Sequence, residues 1–217
     1  VSSLQVGSPA ATIAQSVFAR SLSAMKDDRK IAATKLAGPE LLELDAKPDA
    51  QAAEKIIEQL HDALYCSKIC AYAQGFQLMK ITSKEQGWSL NFAAIARIWR
   101  AGCIIRASFL TSITQAYERE EGLQNLLLDS YFSEQIAKYQ NNWRHSIAHA
   151  TLAGIPCGGF SSALAYYDSY RSETLPANLL QGQRDYFGAH TFERVDKPVG
   201  KKYHVRWSDT DRPMVEA

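Results

Sequence analysis

Two hydrogen-bond-donating side chains, Arg184 and His190, stand six residues apart in the stretch Leu175-Pro-Ala-Asn-Leu-Leu-Gln-Gly-Gln-Arg-Asp-Tyr-Phe-Gly-Ala-His190. The spacing carries them across a point where a helix is expected to end in glycine. A guanidinium offers planar pairs of N–H donors to a phosphate or carboxylate, and a nearby imidazole adds a second, adjustable donor. The same residues also fit a plainer account, a structural Arg184–Asp185 pair with a capping histidine. Other chemistry-bearing groups are weaker. Ser161-Ser162 with His145 or His149 lacks the Gly-x-Ser-x-Gly elbow of a hydrolase, and helix-capping serines explain the pair better. The run Glu118-Arg-Glu-Glu121 reads as a solvated helix end. His61 and His204 have no companions that point to a role.

Cys66 and Cys70 fall on one helix face, but no second Cys or His pair follows at zinc-like spacing. All four cysteines are expected to be reduced thiols, with no metal and no disulfide. The formal net charge of +1 argues against a nucleic-acid partner, which calls for a strong basic excess. No apolar run approaches the roughly 20 residues of a membrane span, and the first nine residues lack the basic and apolar parts of a signal peptide. At 217 residues, 46% of them hydrophobic and 22% charged, the chain suits one well-buried domain. The absence of disulfides fits a cytoplasmic setting, or a plastid in a plant.

Helical periodicity dominates the elements that must position these residues, and no stretch before the tail alternates like a strand. A first helix is predicted from about Ala11 to Lys35, opened by Ser8-Pro9 and closed by Gly38-Pro39, with Ile13, Val17, Leu22 and Met25 close to one face. The stretch 43–49 reads as a loop. A long helix follows from Ala50 until Gly87 breaks it. Asn91 is expected to cap a helix running through Ile98, Ile105 and Ile113 to Tyr117, apolar nearly all round and therefore buried on most sides. Gly102 inside it implies a closely approaching helix, since it costs about 1 kcal/mol relative to alanine. Gly122 ends that helix. Two shorter helices are predicted over 126–139 and 143–152, then a turn at Gly158-Gly159, a helix over 161–174, and a last one over 177–187 with Pro176 in its first turn. Arg194 to Ala217 reads as a tail with a short extended piece at Tyr203-His-Val-Arg-Trp207, and its aromatic pair favours docking. Nothing resembles a strand followed by Gly-x-Gly-x-x-Gly, or a Walker loop.

The run from Leu175 to Thr191 closely resembles the C-terminal signature of the decarboxylating 6-phosphogluconate dehydrogenases. Five other blocks match in order: Ser16-Val-Phe-Ala-Arg20, Ala71-Tyr-Ala-Gln-Gly-Phe76, Trp99-Arg-Ala-Gly-Cys-Ile-Ile-Arg106, Asn125-Leu-Leu-Leu-Asp129 and Ala165-Tyr-Tyr-Asp-Ser-Tyr-Arg171. The likeness spans about Gly7 to Trp207. It implies an all-α helical bundle of that family's C-terminal type over residues 1–192. Residues 193–217 would be an extended tail docking on a partner subunit, and the dinucleotide-binding domain would lie outside this chain.

The resemblance further implies three substrate-binding residues. Arg20 matches the family arginine that holds the substrate phosphate, and Arg184 with His190 matches the pair that reaches the substrate from the partner subunit. Arg100 and Arg106 are expected to be structural, pairing with carboxylates in the bundle. The implied reaction is NADP-linked oxidation of 6-phosphogluconate at C3, then decarboxylation to ribulose 5-phosphate, in the pentose phosphate pathway and gluconate use. The family's catalytic lysine and glutamate would precede Val1, so no catalytic residue is expected in this chain. By resemblance the partners are 6-phosphogluconate and a second copy, as a homodimer with exchanged tails. NADP would be bound mainly by the N-terminal domain. The alternatives are a non-catalytic dimerisation module of the same fold, or a related β-hydroxyacid dehydrogenase.

Overall fold

The computed structural model describes residues 1–39 and 49–217, which divide into two compact units, Val1–Asp168 and Ser169–Ala217. The predicted loop over 43–49 lies outside the described residues except for Asp49, which caps the helix that follows.

All regular elements of the first unit among the described residues are helices. A short α1 (Ser2–Gln5) leads to α2 (Ala11–Ala24) and α3 (Lys26–Lys35). The single helix expected over 11–35 is thus broken at Met25, whose ψ of 53° leaves the helical region. Arg29 accounts for the break: Nε donates to the Leu22 carbonyl at 3.1 Å and Nη2 to that of Ser23 at 3.0 Å. A side-chain cation thereby satisfies the carbonyls at the end of α2, while Asp27 and Asp28 suit the start of α3. The expected apolar face of α2 exists, but Ile13, Val17, Phe18 and Leu22 are all exposed.

α4 (Ala50–Gln86) is the 37-residue axis of the unit. It starts at Ala50 and ends at Gly87, φ 67°, as the sequence predicts, and Asp49, the last residue of the expected loop, caps it by accepting the Ala52 N–H at 2.7 Å. Its buried face runs through Ala63, Cys66, Ile69, Cys70, Ala73 and Phe76, a three-and-four spacing. Small side chains at four of those six positions let a second helix come close. That helix is α7 (Ser130–Leu152), which contributes Phe132, Ile136 and Trp143. The two helices expected over 126–152 are instead a 3-10 turn, Leu126–Leu128, and one continuous α7. The polar run Gln140-Asn-Asn142 contains neither Gly nor Pro, so it marks a change of face and not a helix end.

Between α4 and α7 lie α5 (Phe92–Ile98) and α6 (Leu110–Arg119). Asn91 caps α5 as predicted, accepting the Ala94 N–H at 2.8 Å. The continuous helix to Tyr117 is not formed. Gly102 adopts φ 67°, and a Cβ placed on it would meet nothing within 4 Å, so it serves as a left-handed chain reversal and not as a helix contact. Tyr72 Oη donates to the Ile105 carbonyl and fixes that connection. Ile98, Ile104 and Ile105 face solvent in this chain. Aromatic contacts join the pieces: Phe109 meets Tyr72 at 5.1 Å and Tyr65 at 5.9 Å edge to face, and Phe76 lies 5.5 Å from Trp99 with the rings tilted.

α8 (Gly158–Tyr170) begins at the glycine pair expected to be a turn. Gly158 packs so closely on Gln15 that a Cβ would collide with its amide. One buried polar clasp fixes α2 on α4. Gln74 has no exposure; its Oε1 accepts the Thr12 N–H at 3.0 Å and its Nε2 donates to Thr12 Oγ1 at 2.9 Å. Gln74→Leu removes both bonds and strands the Thr12 donor, so urea denaturation should register a loss of about 1–3 kcal/mol.

The second unit contains α9 (Asn178–Gly188), β1 (Phe192–Glu193), β2 (Lys202–Val205) and β3 (Met214–Glu216). The strands form an antiparallel sheet in the order β1-β2-β3, pairing Phe192 with Tyr203 and His204 with Val215. The extended piece predicted around Tyr203 is therefore the middle strand of a small sheet.

Candidate functional site

α9 starts at Asn178 with Ala177 as its cap, the Ala177 carbonyl accepting the Gln181 N–H at 2.9 Å, so Pro176 stands just before the helix and not in its first turn as expected. It ends at Gly188, but the left-handed cap is Ala189, at φ 51°, and not the glycine. Thr191 is also left-handed, at φ 62°. A β-branched residue there is strained by roughly 1–3 kcal/mol and persists only where surrounding bonds enforce it. His190 lies between these two residues, exposed, with its ring over Gly188. A Cβ on Gly188 would stand 3.2 Å from His190 Nε2, so glycine there sets where the ring can lie.

The enforcing group is Asp185, which is fully buried. Its Oδ1 accepts the Thr191 N–H at 3.0 Å and a contact from His204 Nδ1 at 2.9 Å. Its Oδ2 accepts the Val205 N–H at 3.0 Å and the Trp207 Nε1–H at 2.9 Å. Trp207 also stands edge-on to Tyr186, with ring centres 5.5 Å apart. The carboxylate thus joins the turn after α9 to β2 and the residues beyond it.

This arrangement corrects the plainer reading of the pair. Four donors fill the roughly four lone-pair positions of the Asp185 carboxylate, so Arg184 finds no acceptor there. Arg184 is exposed and its one hydrogen bond among the described residues runs from Nη1 to Gln181 Oε1, at 3.2 Å. Gln181 in turn donates from Nε2 to the Thr191 carbonyl at 2.6 Å. One amide therefore links the guanidinium to the residue after His190.

Burial would raise the Asp185 carboxyl, but the bonds from His204, Val205, Trp207 and Thr191 outweigh it and hold the group down at about 2. A carboxyl lowered on folding adds stability that is complete above its unfolded value and lost as pH falls through its folded one. The Thr191 and Val205 amide resonances should accordingly hold steady above about pH 4 and move with a midpoint near 2. A midpoint at an ordinary carboxyl value would contradict the four-bond clasp.

Arg20 belongs to the first unit, near the end of α2. It is exposed, and among the described residues it makes no hydrogen bond or ion pair. Arg100 and Arg106, expected to pair inside the bundle, are likewise exposed and without a carboxylate among the described residues. The pairing arginines are others: Arg97 with Glu118, Arg119 with Asp129 at 2.5 Å, and Arg144 with both oxygens of Asp168 at 2.8 and 2.6 Å. The serine pair does local work, Ser161 Oγ meeting Cys157 Sγ at 3.3 Å and Ser162 Oγ donating to the Gly159 carbonyl at 3.2 Å. His145 Nδ1 lies 2.8 Å from the Asn141 carbonyl of its own helix.

Cys66 and Cys70 are buried free thiols, and Cys103 and Cys157 are half-buried. Burial, with the Asp62 charge adding to it, pushes the Cys66 thiol up to about 12. Among the described residues no cluster of three His, Cys, Asp or Glu side chains could hold a metal, and no helix is long and apolar enough to cross a membrane.

Sequence reasoning did not single out Asp185 as a hub, nor Gln181 as the link between Arg184 and Thr191. Their one-turn spacing on α9 was a legible signal that both face the same way, but their partners lie beyond the helix.

Comparison with known proteins places these features. The family model described as "6-phosphogluconate dehydrogenase, C-terminal domain" matches residues 1–207. The chain is 52% identical over 206 residues to the NADP(+)-dependent, decarboxylating 6-phosphogluconate dehydrogenase of Bacillus subtilis, covering 95% of this chain and 42% of that protein. It is 50% identical over 210 residues to the decarboxylating enzyme of Ceratitis capitata, covering 97% of this chain and 42% of that one. Among solved structures, Plasmodium falciparum 6-phosphogluconate dehydrogenase, described in apo form and with NADP+ or 6-phosphogluconate, superposes with a TM-score of 0.86 at 40% identity. That match covers 95% of this chain and 43% of the other. The chain thus spans less than half the length of the relatives it matches. With its helical first unit, its α9 signature and a match over nearly its whole length, this chain belongs to the family of the 6-phosphogluconate dehydrogenase C-terminal domain.

Proposed function

We propose that this chain is the substrate-holding C-terminal part of an NADP-dependent, decarboxylating 6-phosphogluconate dehydrogenase. Arg20, Arg184 and His190 would bind 6-phosphogluconate, with Arg184 and His190 delivered to the site of a second copy. The observation that carries this reading is the strained display of His190 beside Arg184. A helix that merely had to stop could do so at Gly188, without placing Ala189 and Thr191 in the left-handed region. Backbone strain held in place by a buried hub is characteristic of sites where geometry matters.

Both arginines suit a sugar phosphate. A phosphate oxygen pair fits the guanidinium fork, and an exposed guanidinium without a carboxylate partner gives up nothing to accept it. Binding the phosphate far from the reacting carbon fixes the substrate's orientation, which lowers the barrier entropically. His190 can donate to a second oxygen of the same ligand.

The cofactor belongs elsewhere in the full-length protein. Among the described residues the strands form one small antiparallel sheet, and none leads through a glycine-rich turn into a helix. These residues do not fit a dinucleotide cradle, and no step through NADP is assigned to them. The chain alone is expected to be inactive.

A homodimer is supported by apolar side chains that stand exposed among the described residues. Val17, Phe18 and Leu22 on α2 are each about 60% exposed, and Leu179 and Phe187 on α9 are 87% and 73% exposed. Large exposed apolar faces mark interaction sites. Exchange of the C-terminal tails would place Arg184 and His190 in the partner's site. The test is cleavage of the full-length protein before Arg184. The KM for 6-phosphogluconate should rise steeply while NADP affinity is kept, and an unchanged KM would overturn the shared site.

A further inference from the structure

We propose that Asp185 is a positioning residue for substrate binding, a buried carboxylate that holds His190 and Arg184 in register by tying the turn after α9 to β2. The inference rests on the anion-site reading above and assigns the group that sets that site's geometry.

Three observations converge on it. The first is orientation. Asp185 follows Arg184 in α9, so the two side chains leave the helix about 100° apart. Asp185 goes fully inward and Arg184 outward, so burying one presents the other. The second is division of labour within the carboxylate. Oδ1 bonds Thr191 and His204, while Oδ2 bonds Val205 and Trp207. Oδ1 thus ties the His190 turn, through Thr191, to His204 in β2, while Oδ2 holds the end of β2 at Val205 and the chain beyond it at Trp207. The third is saturation. With every acceptor position taken, Asp185 attracts Arg184 only weakly and leaves its guanidinium for an incoming anion.

Asp185→Asn separates these roles. An amide can accept on one oxygen only, and its NH2 group then faces two donors. Either the Thr191 pair or the Val205 and Trp207 pair must let go, and in both cases His190 loses its fixed relation to the sheet. Small displacements of binding groups are costly, up to about a hundredfold for a shift of about 1 Å.

The experiment is steady-state kinetics of the full-length protein with 6-phosphogluconate and NADP. Asp185→Asn should raise the KM for 6-phosphogluconate about tenfold while the KM for NADP changes by less than about twofold. Trp207→Phe removes one donor from Oδ2 but leaves the Thr191 bond in place. At a matched fall in melting temperature it should raise the substrate KM by no more than about threefold. Adding Thr191→Gly to Asp185→Asn should recover part of the loss, because glycine holds the left-handed turn without help. If Asp185→Asn does not fold, His204→Ala takes its place. It removes the second donor on Oδ1 from a part-exposed position, and should raise the substrate KM by about threefold.

A silent Asp185→Asn, or a silent His204→Ala where that variant stands in, overturns the proposal. So does an equal KM rise in Trp207→Phe at matched stability, which would mean general loosening of the unit. The anion-site reading fails separately: a silent Arg184→Ala sinks that reading, whereas a silent Asp185→Asn beside a damaging Arg184→Ala sinks only the positioning role.

Discussion

Arg184→Ala in the full-length protein should raise the KM for 6-phosphogluconate by roughly thirtyfold or more, equivalent to about 2 kcal/mol or above. Its guanidinium faces solvent and among the described residues is tethered through Gln181 alone, so little of the fold depends on it. Truncation should leave the melting temperature nearly unchanged while the bound phosphate loses a charge-assisted donor pair. Arg184→Lys keeps the charge but not the fork, and should fall between wild type and alanine. The KM for NADP serves as the internal control and should stay level. A matching rise in both Michaelis constants would point to a folding defect and away from a substrate contact.

The second large effect concerns stability. Trp143 on α7 is completely buried among core residues, with Tyr167 at 6.2 Å, and Trp143→Ala should cost about 3–5 kcal/mol. Its indole N–H has no hydrogen-bond partner among the described residues, an uncommon state for a buried donor. Trp143→Phe keeps most of the ring and removes that stranded group, whose burial costs about 1–3 kcal/mol. The phenylalanine variant should therefore lie within about 1.5 kcal/mol of wild type in urea denaturation. A loss as large as alanine's would mean that the indole N–H is satisfied after all, by an ordered water.

Much of the helical order was legible because local signals agreed with it. Gly87 and Asn91 punctuate α4 and α5 where capping chemistry says they should. The family signature at α9 was legible as sequence. The misread places share one cause, competition from distant partners. Met25 ends α2 because Arg29 folds back on its carbonyls. Gly102 turns the chain after α5 although the apolar pattern runs on without a pause. α7 passes through a polar stretch that periodicity alone took for a break.

The site follows the same rule. Arg184 and His190 stood out by residue type and spacing. Asp185 did not, because its meaning depends on Thr191, His204, Val205 and Trp207 converging on one carboxylate. A pairing with its neighbour Arg184 was the natural local guess, and only the folded second unit removes it. Arg20 depended wholly on the family resemblance, since an exposed arginine near a helix end carries no signal of its own.

The shared site can be tested with one purified mixed dimer, carrying Arg20→Ala in one full-length subunit and Arg184→Ala in the other. If Arg184 crosses to the partner, one of the two sites holds both substitutions and the other holds neither. That dimer should then show about half the wild-type rate at an unaltered KM for 6-phosphogluconate. If each subunit completes its own site, every site carries one damaged arginine. The mixed dimer would then be as impaired as its two parents, and the exchange of Arg184 between subunits would be refuted.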